Sequence, residues 1–262
     1  MSWLETLKAL PPILAWRRAR FERYFATASN VNAYYGVFDT WELARASAPQ
    51  TKPIGYDNPD SAELHRDAVT PLASDYPAMH WLARAFADGA TQVLDIGGHL
   101  GQKYYAFRDR LPLPPDARWT VFDVPAVADA GAALARTRDS ARQLDFRTSV
   151  PSSLAHTVVF ASGSVQYLPQ GLAATLATAA PRPARIVVNT AALHPTRTFY
   201  TLNSIGTAFC PYRVQHEAAF VSELAALGYV VDDRWETPKP FRVAFEPSVA
   251  LDRFVGLALR LT

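Results

Sequence analysis

From Gln92 onward, short apolar runs alternate with segments of helical periodicity, and this alternation constrains the fold most. Val93-Leu94-Asp95-Ile96 has the length and apolar character of a buried strand. Leu100, Tyr104, Phe107 and Leu111 follow at helical spacing. Residues 119–123 read as the next strand, and Val127, Ala130 and Leu134 mark the next helix. A short strand is expected over 144–146 and a clear one over 158–162. Leu172 and Leu176 then give a helix, and 185–189 a strand. Phe220, Leu224 and Leu227 predict a further helix that Gly228 stops. Two final strands, 229–232 and 254–259, have no helix between them; Pro238, Pro240 and Pro247 lie in the link. Alternating strands and helices imply a parallel sheet covered by helices on both faces. Without a crossover helix, the last strand is expected to pair antiparallel. The fold class is therefore α/β, Rossmann-like, with a seven-stranded, mostly parallel sheet.

The first 88 residues lack this alternation and read as an N-terminal helical extension to a main domain over 89–262. Trp3, Leu4, Leu7 and Leu10 have helical spacing, and Pro11-Pro12 ends or kinks that helix. A second helix carries Trp16, Phe21, Tyr24 and Phe25. Residues 30–59 mix aromatics with turn residues and read as an ordered loop or short helices. Asp75 reads as the N-cap of a helix bearing Met79, Leu82 and Phe86, with Pro77 in its first turn and Gly89 at its stop.

Composition removes several classes. The chain has 26 basic and 24 acidic residues, a formal charge of +2, which argues against binding nucleic acid through phosphate contacts. Its 49% hydrophobic and 12% aromatic content exceeds that of a disordered chain. One cysteine builds no disulfide framework, so a reducing compartment is expected. No apolar run reaches transmembrane length. The apolar stretch at Leu10 to Trp16 is interrupted by prolines, and Arg17, Arg18, Arg20 and Arg23 follow it, the reverse of a signal peptide. A cytoplasmic protein without stable membrane insertion is the expectation. His65, His80 and His156 share no ligand spacing, so no metal site is expected.

The strongest chemical signal is the turn after the first strand of the alternating region. Gly97, Gly98 and Gly101 crowd there, in a chain with only 12 glycines. Such a turn lets a ligand approach the backbone, next to helix N-terminal N–H groups. A dinucleotide fingerprint ending at Gly101 needs glycine at 98 and 96, and position 96 is Ile. A nicotinamide-dependent dehydrogenase is accordingly the poorer alternative.

Asp95-Ile96-Gly97-Gly98-His99-Leu100-Gly101 resembles motif I of class I S-adenosylmethionine (SAM)-dependent methyltransferases. The resemblance implies SAM as cofactor, with Asp95, Gly97, Gly98, His99 and Gly101 facing its amino-acid end. Asp95 would attract the ammonium or sulfonium charge, directly or through water. Asp123, with Val124 after it, ends the second strand, where a carboxylate accepts hydrogen bonds from ribose hydroxyls. An exposed strand-end aspartate is the plain alternative.

The chain is also similar to a narrower group, methyltransferases of bacterial polysaccharide and natural-product gene clusters. The matching words are Tyr35-Gly36-Val37-Phe38, Gly55-Tyr56-Asp57, the glycine turn, Phe122-Asp123-Val124-Pro125, Ala161-Ser162-Gly163-Ser164-Val165-Gln166-Tyr167-Leu168, and Gly228-Tyr229 with Trp235. They span about residues 34 to 236. The chain departs from the group at Asp123, where Glu is common, and at His99, where a small residue is common. The resemblance implies that the first 88 residues fold over the cofactor crevice as a lid, which brings Tyr56 toward the cofactor. Core aromatics are the alternative for the tyrosines of this segment.

Candidate chemistry follows the ends of strands, where open sheets bind ligands. Ser162, Ser164, Gln166 and Tyr167 follow the 158–162 strand. Tyr167 suits a sulfonium by cation–π attraction. Loop hydrogen bonding is the alternative for the serines. His194 is the general-base candidate by location, with a surface-loop histidine as the alternative. Cys210 reads as a buried or half-buried thiol, not a nucleophile.

Four functions are open at this point. The first is a methyltransferase on a small molecule or biosynthetic intermediate, at oxygen or nitrogen. The second is a SAM-consuming cyclase that forms azetidine-2-carboxylate and releases methylthioadenosine, as some relatives in the resembled group do. The third is the dehydrogenase. The fourth is a non-catalytic SAM-binding assembly subunit, suggested by the basic N-terminal helix. The partners expected are a small-molecule acceptor, or none beyond SAM; the sequence is compatible with an oligomer.

Overall fold

A computed structural model describes residues 11–262 except Asn30, His65 and Ala68. The helix expected on Trp3, Leu4, Leu7 and Leu10 lies outside the described residues.

Helix α1 (Pro11–Thr27) opens on the two prolines, which suit a first turn that needs no N–H donors. Strand β1 (Ala33–Phe38) follows, then helices α2 (Trp41–Ala46), α3 (Pro59–Ala62) and α4 (Tyr76–Ala87). The alternating part runs β2 (Gln92–Ile96), α5 (Gln102–Phe107), β3 (Arg118–Phe122), α6 (Pro125–Arg138), β4 (Leu144–Arg147), β5 (Thr157–Ser162), α7 (Gly171–Leu176) and β6 (Arg185–Ala191). Then come β7 (Leu193–His194), β8 (Phe199–Ser204), β9 (Phe209–His216), α8 (Glu217–Ala225), β10 (Tyr229–Phe241), β11 (Val243–Ala244) and β12 (Leu251–Leu261).

The main sheet has seven strands in the order β10-β12-β6-β5-β2-β3-β4. Strands β4, β3, β2, β5 and β6 are mutually parallel. Strand β12 lies antiparallel between β6 and β10. One face packs Leu82, Tyr104, Phe107, Trp119 and Phe160 against α4 and α5. The other packs Val159, Val188, Leu172, Leu176, Phe220 and Leu224 against α7 and α8. This is the architecture that the alternation implies.

Two differences from the sequence reading have plain causes. Strand β10 was expected to stop near residue 232, yet it continues through Pro238 and Pro240 to Phe241. It is an edge strand, and an edge tolerates proline because its outer amides have no partner to lose. The second difference is a second sheet, in the order β11-β1-β8-β9-β7. Its strand β1 lies in the stretch read as a loop or short helices. All six of its residues are half-buried, so it shows no alternation of apolar and polar residues. Its partner is remote in sequence: Tyr34 pairs with Asn203 and Tyr35 with Leu202. The register breaks between Tyr35 and Phe38, where Gly36 has a φ of 76° that admits the bulge. Among the described residues, no helix is long and apolar enough to cross a membrane.

Candidate functional site

Open sheets bind ligands in the crevice beyond their C-terminal strand ends, here those of β2, β3, β5 and β6, beside the β2–α5 turn. Gly97 and Gly101 have φ values of 67° and 82°, a region that favours glycine. Between them His99 also takes a positive φ, 55°. Gly98 is required for a different reason. A Cβ there would stand 2.4 Å from Asp95 Oδ2, so the turn rests directly on that carboxylate.

Asp95 is 1% exposed. Its Oδ2 accepts the Trp119 indole N–H at 3.0 Å, and its Oδ1 has no protein partner. Burial raises its pKa to about 7, against the lowering effects of the Trp119 bond and the Lys103 charge. The carboxylate therefore sits beneath the turn, with one oxygen unpaired. Asp123 stands at the end of β3 and is half-buried. The backbone N–H of His99 donates to its Oδ2 at 2.9 Å, and that of Val124 to its Oδ1 at 2.8 Å. These bonds fix the carboxylate against the glycine turn and leave lone pairs on both oxygens. Burial raises its pKa, and the two amides work against the rise.

The serine-rich word after β5 braces the turn. Ser164 Oγ donates to the Ile96 carbonyl, and the Ser164 Cβ occupies the space that a Gly97 side chain would need. Ser162 is half-buried at the end of β5, with its Oγ 3.4 Å from Asn189 Nδ2. Gln166 is buried; its Nε2 donates to the Thr190 carbonyl at 3.2 Å and its Oε1 has no partner. Tyr167 donates its hydroxyl to Asn203 Oδ1 at 2.9 Å. Tyr167 centres an aromatic cluster, with ring centroids 5.4 Å from Tyr56 and 5.0 Å from Tyr212. Tyr34 extends the cluster, 5.0 Å from Tyr212 and 4.5 Å from Phe241. Burial raises the pKa of each tyrosine here, Tyr34 to about 12, so all are neutral phenols at ordinary pH.

The first 88 residues reach this crevice at several points. Tyr56 meets His99 at 6.4 Å between ring centroids. The Ser61 carbonyl lies 3.0 Å from His99 Nε2, and the Asp57 carboxylate accepts the Ala126 N–H at 2.8 Å. Asp75 makes the firmest contact. It precedes α4, as an N-cap would, but its side chain makes no cap bond to that helix. It turns inward, is 1% exposed, and accepts Lys103 Nζ on both oxygens at 2.7 Å. The Leu72 N–H and Asn189 Nδ2 also donate to it, at 2.9 and 3.1 Å, and Trp235 Nε1 donates to Asn189 Oδ1 at 3.1 Å. A caulking network of this kind leaves no sequence motif, because its members come from four separate segments of the chain.

The contacts of His194 are local. Its Nδ1 accepts N–H groups of Thr196 and Arg197 at 3.2 and 3.3 Å, and its ring contacts Phe199. Burial and the Arg197 charge lower its pKa. Its bonds hold its own tight turn. Contacts thus link Asp95, Gly97, Gly98, His99, Asp123, Val124, Ser164, Tyr167 and Tyr56 around the turn, with Gly101, Ser162 and Gln166 in the adjoining segments, while the bonds of His194 lie within its own turn. Sequence reading missed Tyr212, Asp75 and Lys103 as neighbours of that crevice. Cys210 is buried in β9, and burial pushes its thiol pKa up to about 12. Among the described residues, no three His, Cys, Asp or Glu side chains gather as a metal ligand set.

No protein-family model matches the chain, and neither does any curated protein sequence at a significant level. Solved structures do match. The chain is similar to the 1,6-didemethyltoxoflavin-N1-methyltransferase of Burkholderia thailandensis, solved with 1,6-didemethyltoxoflavin and S-adenosylhomocysteine. The identity is 19%, the TM-score 0.51, and the match covers 78% of this chain and 84% of that one. It is also similar to OxaC, at 16% identity and a TM-score of 0.52, over 79% of this chain and 52% of that one. The chain thus spans about half the length of OxaC, which was also solved with S-adenosylhomocysteine and oxaline. The shared feature is the fold: this chain has the Rossmann-like methyltransferase fold.

Proposed function

We propose that the chain is a SAM-dependent methyltransferase acting on a small molecule or biosynthetic intermediate, at oxygen or nitrogen. One observation carries the reading. Asp123 is held against the glycine turn by the His99 and Val124 amides, with lone pairs left over, at the end of the strand next to β2. That position suits the two hydroxyls of a ribose. The structural neighbours solved with S-adenosylhomocysteine support the same ligand.

The turn itself is close-fitting: Gly97 packs on Ser164 and Gly98 on the buried Asp95 carboxyl, which holds the turn in place beside Asp123. When bound, SAM supplies an electrophilic methyl group on a sulfonium. The chain's own task is placement and exclusion of water. Ser164 holds the turn to β5, and Ser162 and Gln166 line the side of the crevice toward β6. Tyr167, fixed by Asn203, presents a neutral aromatic wall with Tyr56, suited to a positively charged sulfur. We assign His194 to holding its turn. Residues 1–88 act as an extension that covers the crevice of the 89–262 domain, a role supported by the contacts of Tyr56, Asp57, Ser61 and Asp75.

The test is incubation with SAM, with and without a pool of phenolic, amine and sugar acceptors, followed by mass analysis of the adenosine coproduct. S-adenosylhomocysteine formed only with acceptor supports the reading. Methylthioadenosine formed from SAM alone overturns it in favour of the cyclase. Binding without either product overturns it in favour of a non-catalytic subunit.

A further inference from the structure

Helix α1 meets the rest of the chain along one side. Phe25 is buried there, and Leu14 and Phe21 are half-buried. Ring centroids of Phe21 lie 5.6 Å from Tyr35 and 5.7 Å from Phe245, and Phe25 stacks on Phe209 at 5.4 Å. At about 3.6 residues per turn, Ile13, Trp16, Arg17, Arg20, Arg23 and Tyr24 share a different side of the helix. All six are exposed. Nine large apolar or aromatic side chains are exposed among the described residues, and Ile13, Trp16 and Tyr24 are three of them. Trp16 is 57% exposed, in contrast to the ordinary burial of tryptophan.

The same side is strongly basic. Four arginines and one glutamate give α1 a charge of +3, whereas the whole chain has +2. The glutamate, Glu22, falls on the opposite side by helical spacing and accepts the Tyr35 hydroxyl at 2.5 Å. The Arg20 guanidinium lies 5.5 Å from the Trp16 ring centroid, so cation and ring stand side by side. Among the described residues no acidic side chain pairs with Arg20 or Arg23. The surface is thus a helix side about 25 Å long on which exposed rings alternate with guanidinium groups.

We propose that this side of α1 docks the protein on an anionic lipid surface. Trp16 and Tyr24 enter the head-group layer, which suits rings with one polar edge. The arginines take lipid phosphates by charge-assisted hydrogen bonds. Charge complementarity selects this occupant. An anionic membrane is flat and meets only the basic helix, while a long polyanion such as a nucleic acid would also run over a remainder that is not basic. The contact is adsorption, in keeping with the lack of a membrane-crossing helix among the described residues. It stands independently of the methyltransferase reading.

The test is flotation of the full chain with two kinds of vesicle, phosphatidylcholine alone and phosphatidylcholine mixed with phosphatidylglycerol. The expected result is binding to the mixed vesicles only, weakened by added salt. The double variant Arg20→Gln with Arg23→Gln should bind them about tenfold more weakly or worse. Trp16→Ala should also bind more weakly and lose a blue shift of tryptophan fluorescence that the wild type shows on the vesicles. These side chains are exposed, so thermal melts of the variants should match the wild type. No binding to either vesicle, equal binding to both, or a double variant that binds like the wild type overturns the proposal. Tighter binding to a single-stranded oligonucleotide than to the mixed vesicles overturns it in favour of nucleic acid. Self-association that the double variant abolishes overturns it in favour of a second copy of the chain.

Discussion

Replacing Lys103 by Met tests the network that ties the N-terminal segment to the helix after the glycine turn. Lys103 holds both oxygens of Asp75 at 2.7 Å, and Asp75 is 1% exposed. Methionine keeps most of the aliphatic stem and removes the charge. Asp75 is left with the Leu72 N–H and the Asn189 amide. Breaking a fully buried pair from one side costs about 3–5 kcal/mol. The Lys103 side chain is 23% exposed, and two donors remain on Asp75, so the expected cost is about 2–4 kcal/mol. In a chain of this size that lowers Tm by roughly 5–15 °C. Urea denaturation followed by tryptophan fluorescence measures it, because Trp235 and Trp119 both lie near the network. The double variant Asp75→Asn with Lys103→Met should cost less than Lys103→Met alone, since no buried charge is stranded. A Lys103→Met cost below about 1 kcal/mol, or a double variant equal to the sum of the singles, refutes the reasoning.

Three further outcomes follow from the site. Gly98→Ala puts a Cβ 2.4 Å from Asp95 Oδ2, so it should cost about 1–3 kcal/mol in denaturant and abolish detectable S-adenosylhomocysteine binding by calorimetry. Burial holds the Asp95 pKa up at about 7, so between the ordinary carboxylate range and about pH 7 the native state keeps a proton that the unfolded chain has lost. Stability therefore falls as pH rises through that window, and Asp95→Asn should gain on the wild type by on the order of a few kcal/mol between about pH 5 and about pH 8. A difference that stays flat with pH contradicts this. Cys210 should resist a thiol reagent at about pH 8 while folded and react at once in denaturant, because burial holds its thiol pKa up at about 12.

The main sheet was legible because β2, β3 and β5 are short runs each followed by its own helix, so local periodicity carried that part of the fold. The glycine turn and Asp123 were legible for a related reason: both sit at fixed places in one strand–turn–helix unit. The second sheet was not. Tyr34 and Tyr35 pair with Asn203 and Leu202, residues about 170 positions away, and β1 has no polar face to betray a strand. Asp75 shows the limit of local reading more sharply. Its place before α4 was read correctly, and its role was not, because the decisive partners are Lys103 and Asn189. His194 shows how local bonds escape sequence reading: one ring nitrogen accepts the N–H groups of Thr196 and Arg197 in the turn that follows it. The aromatic wall was half seen, since Tyr56 and Tyr167 belong to recognisable words while Tyr212 enters only through β9.

The central claim is that Asp123 and the glycine turn form a SAM site. Calorimetric titration of S-adenosylhomocysteine into the wild type and into Asp123→Ala tests it most directly. The account predicts one site per wild-type chain and an affinity loss of about tenfold or more in the variant, as expected for removing a charged acceptor. No heat with the wild type, or equal affinity in both proteins, contradicts it.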